Sequence, residues 1–273
     1  MKLHYPHFDN KYQHHEHKYF RGFRVELKLL VGEKLKVWNA RRHRKGFNLI
    51  GNEHHETANP LVLLNLPIAI LFIVGSAHFI FASLLQLEWL SFQTHFDINT
   101  IFFYGSIFFT SAAYIQYLQA INGTDSVDTP PNWKDWKWFA IQPHRIGFWS
   151  TFTQFAGTLL FNVSTFAAIF PASAHTAWIF IWGPDFIGSI LFLVSGYLAV
   201  VESDAHVHYW PKTTLSSVIT VFNLWGCLFF MISAFMAVPS IVTVHIMLEG
   251  SLATTALGGV CFMASSFFLA IEK

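Results

Sequence analysis

The sequence predicts an all-α polytopic membrane protein: six transmembrane helices sharing a repeated G-[small]-x-x-F-x-x-[SA] packing motif, preceded by a small cytoplasmic N-terminal region. Three observations carry that fold class. Only 12% of the 273 residues are charged and 53% are hydrophobic, against about 25% charged in soluble domains. Several apolar stretches reach the ~20 residues needed to cross a ~30 Å hydrocarbon layer. In each of them a Gly is followed, at fixed distances, by a Phe and a small residue.

The spans are expected near 61–86, 98–120, 146–170, 177–201, 215–238 and 241–271, the last long enough to tilt. They make a transmembrane domain over 60–273, after a basic, histidine-rich region over 1–59. Twelve of the 17 Lys and Arg residues precede residue 46. Lys134, Lys137 and Arg145 follow the second span, Lys212 the fourth and Lys273 the last, while the alternate connections carry none. The positive-inside rule then places both termini in the cytoplasm of a plasma or inner membrane. Cys227 and Cys261 both fall in apolar stretches, which leaves no disulfide framework and no cysteine-based zinc site. The N-terminus has no apolar h-region, so no cleaved secretory signal is expected.

Aligned on their glycines, the spans show the pairs Gly75-Ser76, Gly105-Ser106, Gly157-Thr158, Gly188-Ser189, Gly226-Cys227 and Gly258-Gly259. Four residues after each first Gly stands Phe79, Phe109, Phe161, Phe192, Phe230 or Phe262. Seven residues after stands Ala82, Ala112, Ser164, Ser195, Ser233 or Ser265. Offsets of 0, 4 and 7 share one helix face. Membrane helices associate by close packing of small residues, because lipid offers no hydrophobic driving force between them. The motif is therefore expected to be a packing seam in which a Phe sits over the Gly step of an antiparallel neighbour, rather than a ligand site.

The stretches "IVGSAHF" and "IGSILF" resemble the signature of the YrhK-like membrane domain. The resemblance covers roughly 60–273, implies the multi-span fold and implies no chemistry.

In the N-terminal region, "FRVELKLLVGEKLKVW" alternates Phe23, Val25, Leu27, Leu29 and Val31, then Leu35 and Val37 beyond Gly32-Glu33. That pattern predicts a β-hairpin; a helix with Phe20, Phe23, Leu27, Leu30, Val31, Leu35 and Trp38 on one face is the alternative. The following run of Arg41, Arg42, Arg44 and Lys45 is expected to meet anionic lipid. No recognition fold accompanies it, so nucleic acid is not an expected partner. The connection over 128–145 interleaves Trp133, Trp136, Trp138 and Phe139 with Lys134 and Lys137, as an interfacial belt does.

Candidate chemistry rests on histidine, since 11 of the 15 fall on the expected cytoplasmic side. His54, His55 and Glu56 before the first span, with His206 and His208 after the fourth, form a ligand set suited to a divalent metal. The clustered histidine boxes of membrane desaturases are missing. Within the spans, His78 and His245 stand at similar depth, so a bis-histidine haem is a geometric option. Asp185 and Glu249 are the in-span acids, and such residues are functional hypotheses by default. Glu249 follows His245 by four residues, on the same face. "WGPDF" also fits a helix opened by Pro184 with Asp185 in its first turn. Gln154, Asp185 and Asn223 each stand three residues before a motif Gly, as a polar layer along the seam.

Three function classes follow. The first is an accessory or scaffold membrane protein that docks a membrane-protein partner or a second copy of itself. The second is a small-solute or ion transporter using Asp185, His245 and Glu249. The third is a metal-dependent membrane enzyme using the cytoplasmic histidines.

Overall fold

The computed structural model describes residues 13–31, 34–47, 59–89, 97–123, 133–204, 206, 208–240 and 244–272. Three antiparallel strands come first, β1 (Gln13–Phe20), β2 (Phe23–Val31) and β3 (Lys34–Asn39), in that spatial order. The expected hairpin is β2–β3, and its turn residues lie outside the described set. Val31 stands opposite Lys34 and Leu27 opposite Trp38. In that register odd positions of β2 share a face with even positions of β3, since neighbours in register point the same way. Trp38 therefore joins the buried Val25, Leu27 and Leu29, while Leu35 is left exposed. The simple continuation of the alternation through Leu35 and Val37 is corrected accordingly. β1 escaped the sequence reading, because "HHEHKYF" has no apolar alternation to signal a strand.

Asn39 ends β3 and caps the short helix α1 (Ala40–Arg44), its side chain accepting from the Arg42 amide. The same side chain donates to the Ser203 carbonyl at 2.9 Å, so the cap also ties α1 to the transmembrane helices. A 3₁₀ turn over Pro60–Leu64 leads into α2 (Asn65–Gln86), followed by α3 (Ile98–Ile121) and α4 (Ile146–Ala167). Next, α5 (Ala174–Thr176), a π-helical segment over Ala177–Trp182 and α6 (Gly183–Asp204) run on as one rod. The chain closes with α7 (Leu215–Met236) and α8 (His245–Ile271).

Five of these rods are long and apolar enough to cross a bilayer, beginning at Pro60, Ile98, Ala174, Leu215 and His245. The chain is that of an integral membrane protein with a helical transmembrane region. The expected count was six. The difference is α4, which has the length, at 22 residues, but buries Ser150, Thr151, Thr153, Gln154, Thr158 and Ser164. Its polarity faces the interior, which lowers its mean hydropathy without exposing polar groups outward.

The helices pack as a closed ring in the order α2, α3, α4, α6, α7, α8, with α8 returning against α2. Within it the motif residues meet in reciprocal pairs. A Cβ on Gly75 would stand 2.5 Å from the Phe109 ring, and one on Gly105 would meet Phe79 at 3.1 Å. Gly157 and Gly188 face Phe192 and Phe161 in the same way, both at 2.7 Å. Gly226 faces Phe262 at 2.9 Å, and Gly258 faces Phe230 closer still. Each exchange belongs to one antiparallel hairpin: α2–α3, α4–α6 or α7–α8. Only a residue without Cβ lets a ring lie against the backbone at this distance. Three of the four serines at the seventh offset have a defined task. Ser195, Ser233 and Ser265 each donate across their own hairpin, to the carbonyls of Ser150, Ser251 and Ile219.

Candidate functional site

The ring has three levels along its axis, and the central one follows from the motif. Six rings, Phe79, Phe109, Phe161, Phe192, Phe230 and Phe262, are all buried in one cluster. Phe79 and Phe161 lie 5.5 and 5.7 Å from Phe230, and Phe109 and Phe192 lie 5.5 and 6.3 Å from Phe262. The rings thus form two stacked triads, one from the first helix of each hairpin and one from the second. Together they fill the axis with apolar surface.

At the end that bears the sheet, α1 and its C-cap residue insert three cations. Arg41, Arg44 and Lys45 are only 4%, 7% and 2% exposed. Arg44 makes two parallel bonds to Glu202, at 2.9 and 2.8 Å. Arg41 bonds both oxygens of Glu272, at 2.5 and 3.2 Å, and donates to the Ser216 hydroxyl at 2.7 Å. Lys45 shares Glu272. Bidentate arginine–carboxylate pairing of this kind is strong and directional. Burial pushes the Lys45 ammonium down to about 7, with Arg41 adding to the effect. Burial alone would raise the Glu272 carboxyl, but Arg41 and Lys45 hold it down to about 2. The basic run is therefore internal, which corrects the expectation that it meets lipid headgroups. Arg42, the fourth cation, lies over the Phe47 ring at 5.1 Å.

Glu202 and Glu272 were missed from sequence, yet the motif contains them. Fourteen residues after Gly105, Gly188 and Gly258 come Gln119, Glu202 and Glu272. Ten residues before Gly75, Gly157 and Gly226 come Asn65, Gly147 and Ser216. Gln119 bonds Asn65 at 2.9 Å, Glu202 lies against Gly147 and Arg41 bridges Glu272 to Ser216. One polar position thus closes each hairpin at this end, and two of the three carry charge for α1.

At the opposite end the helices line a half-open cavity of about 200 Å³. Its floor is Phe79, Phe161 and Phe230, and its walls include Phe102, Asp185, Thr165, Ser233, Ser251 and Thr255. The lining extends to Ala237, where α7 ends. Asp185 has no hydrogen-bonding or charged partner among the described residues. Ser233 bonds the hydroxyls of Ser251 and Thr255 at 2.9 and 2.7 Å. Asp185 does stand in the first turn of α6, as expected, but α6 does not open at a free N-terminus. The rod starts at Ala174 and passes Pro184 by way of the π segment, which absorbs the missing N–H and the ring clash of a mid-helix proline. That carries Asp185 to the cavity wall.

The other candidates separate. His245 and Glu249 do pair, at 3.4 Å, but both side chains are largely exposed, 85% and 55%. Glu249 is also shallower than expected, since α8 begins at His245. His78 bonds the Val74 carbonyl of its own helix at 2.8 Å and packs on Phe108 of α3, so the structure gives each in-span histidine its own partner. Gln154 reaches Ser195 at 3.4 Å and Asn223 reaches Cys227 at 4.0 Å. His208 bonds the Ser217 hydroxyl at 2.8 Å, and His206 is exposed. His54, His55 and Glu56 lie outside the described residues, and among those described no three metal-ligating side chains converge. Asn122, nominally a glycosylation sequon, donates to the Lys137 carbonyl and accepts from its amide, both at 2.7 Å. Trp138, Phe139 and Ile141 beyond it are exposed, as an interfacial belt requires.

No family model, curated protein or solved structure matches the chain.

Proposed function

We propose that the protein is a membrane conduit for a small cation, built from three hairpins that repeat one sequence unit and closed by its phenylalanine layers. The observation that carries this reading is Asp185: a carboxylate without a partner among the described residues, lining a half-open cavity against the aromatic layer. A carboxylate at membrane depth is costly and is a functional hypothesis by default. Apolar constrictions of this kind gate by excluding water. In this reading α4 is the sixth span, both termini are cytoplasmic and the α1 ion pairs close the inner mouth. His245 and Glu249, exposed beside the outer end, leave the central role to Asp185. Membership of the YrhK-like family is part of the proposal and rests on the G-S-x-x-F motif.

Liposomes containing the purified protein under a cation gradient test it. Phe230→Ala, which removes the ring common to both contacts of its triad, is expected to raise flux by about tenfold or more by shortening the dewetted segment. Adding Asp185→Asn should return flux toward the starting level. Flux through Phe230→Ala equal to that of protein-free liposomes would overturn the reading.

The accessory-protein reading has its own support in the sheet. β1 and β3 are edge strands, and edges of this kind take up a partner strand. Mild-detergent purification from native membranes decides it, with a stoichiometric partner for it and a homogeneous species of this chain alone against it.

A further inference from the structure

The cavity beside Asp185 has a chemistry more specific than attraction for positive charge. We propose that it is a binding site for a small alkylammonium cation, with Asp185 as counter-ion and the Phe79, Phe161 and Phe230 rings as the floor. This rests on the same axial cavity as the conduit reading and names the ligand class it takes.

The inference follows by elimination among ligand chemistries. An anion is excluded by the carboxylate. A neutral apolar molecule would fill the space but leave Asp185 desolvated beside it, which is the costly arrangement. An inorganic cation such as Na⁺ or Ca²⁺ needs a shell of oxygen ligands, six or more for Ca²⁺. The lining offers one carboxylate and four hydroxyls, and Ser233, Ser251 and Thr255 already engage one another. A transition metal wants imidazole or thiolate, and neither lines the cavity. The remaining surface is apolar and mostly aromatic, with three rings below, Phe102 at the side, and Ile181 and Ala237 beside them.

A carboxylate facing a concave set of rings suits a cation wrapped in methyl or methylene groups. The ring faces attract its diffuse charge, the apolar skin needs no water, and the carboxylate neutralises the net charge. Volume agrees, since a cavity of about 150 Å³ holds benzene and this one measures about 200 Å³. A tetramethylammonium or choline-sized head group fits that space. A hydrated inorganic ion would meet the aromatic floor with its water shell and gain nothing from the rings.

Binding is measured by isothermal titration of the purified full-length protein with tetramethylammonium chloride, with sodium and potassium chloride at matched ionic strength as references. Tetramethylammonium is expected to bind in preference to both alkali ions by about tenfold or more. Asp185→Asn should weaken it by a similar factor. Phe161→Leu, which keeps the floor apolar but removes a ring face, should weaken it severalfold while leaving any alkali-ion binding unchanged. Unfolding temperature is read for each variant, and a variant that melts with the parent qualifies as folded. Equal affinity for sodium and tetramethylammonium, no heat with tetramethylammonium, or a folded Asp185→Asn protein that binds like the parent each overturn the inference. Tetramethylammonium binding without cation flux in any variant would sink the conduit and leave the site standing. Cation flux without tetramethylammonium binding would do the reverse.

Discussion

Replacing Glu272 with Ala should destabilise the protein by about 3–5 kcal/mol, the cost of leaving a buried charge uncompensated. Two cations depend on that carboxylate, Arg41 and Lys45, and both are nearly inaccessible to water. Removing the carboxylate strands them together, so the loss should be read first where α1 meets the ring. Hydrogen exchange at the β2 amides should accelerate well before the transmembrane helices open, because α1 holds the sheet to α6 and α8 beside the cluster of Val25, Ile146 and Val201. The effect is distinguishable from a general packing defect by a second variant. Changing Arg41, Lys45 and Glu272 together to Met removes both cations and their counter-charge at once, and such apolar replacements are often neutral or better. The triple variant should therefore recover much of what Glu272→Ala loses. Acid gives the same answer without mutation. Glu272 titrates near 4.5 when unfolded and about 2 in place, so its contribution is complete above about pH 4.5 and is lost as pH falls toward 2. If β2 exchange, corrected for intrinsic rates, were no faster at pH 3 than at pH 6, Glu272 would not be holding the sheet.

The packing residues were legible in the sequence because they obey a strict spacing. A glycine with a Phe four residues on has one physical reason to recur in apolar helices, namely a ring lying against backbone, and all six glycines meet a ring from the neighbouring helix. The polar ends of the same repeat were not read. Glu202 and Glu272 stand at the ends of apolar runs, "AVVESD" and "LAIEK", where a carboxylate ordinarily reaches water. Only their common distance from Gly188 and Gly258, shared with Gln119, marks them as internal. Their partners were misread for the matching reason, since a basic run just before a span looks like a lipid contact until an internal carboxylate is found for it. Asp185 was identified as a candidate and as a first-turn residue of α6, but the π segment that runs into that helix leaves no clear pattern in sequence. β1 was hidden by its composition, and α4 was assigned as a span by its length although hydroxyl and amide groups dilute its hydropathy.

The six-ring plug and the glycine seam are one device, and a size exchange between Gly258 and Phe230 shows it. A Cβ at Gly258 would enter the Phe230 ring and approach the Gly226 carbonyl at 3.2 Å. The ring has little room to yield, since it is held against Phe79 at 5.5 Å, Phe161 at 5.7 Å and Phe262 at 5.2 Å. Gly258→Ala should therefore cost about 1–3 kcal/mol by overpacking. Phe230→Ala should cost about 3–5 kcal/mol by leaving a cavity. The combination should fall well short of the sum, because the added methyl points into the space the ring vacates. A coupling of at least about 1 kcal/mol is expected, within the range found for residues in direct contact. Conduction should not follow stability. Relief of the clash leaves the axial gap open, so the double variant should keep the raised flux of Phe230→Ala while regaining part of its lost unfolding temperature. Strict additivity of the two stability changes would mean that Gly258 does not hold Phe230 in place. Flux returning to the parental level with stability would mean that the ring acts in packing alone, and the axis would then have no gate at this layer.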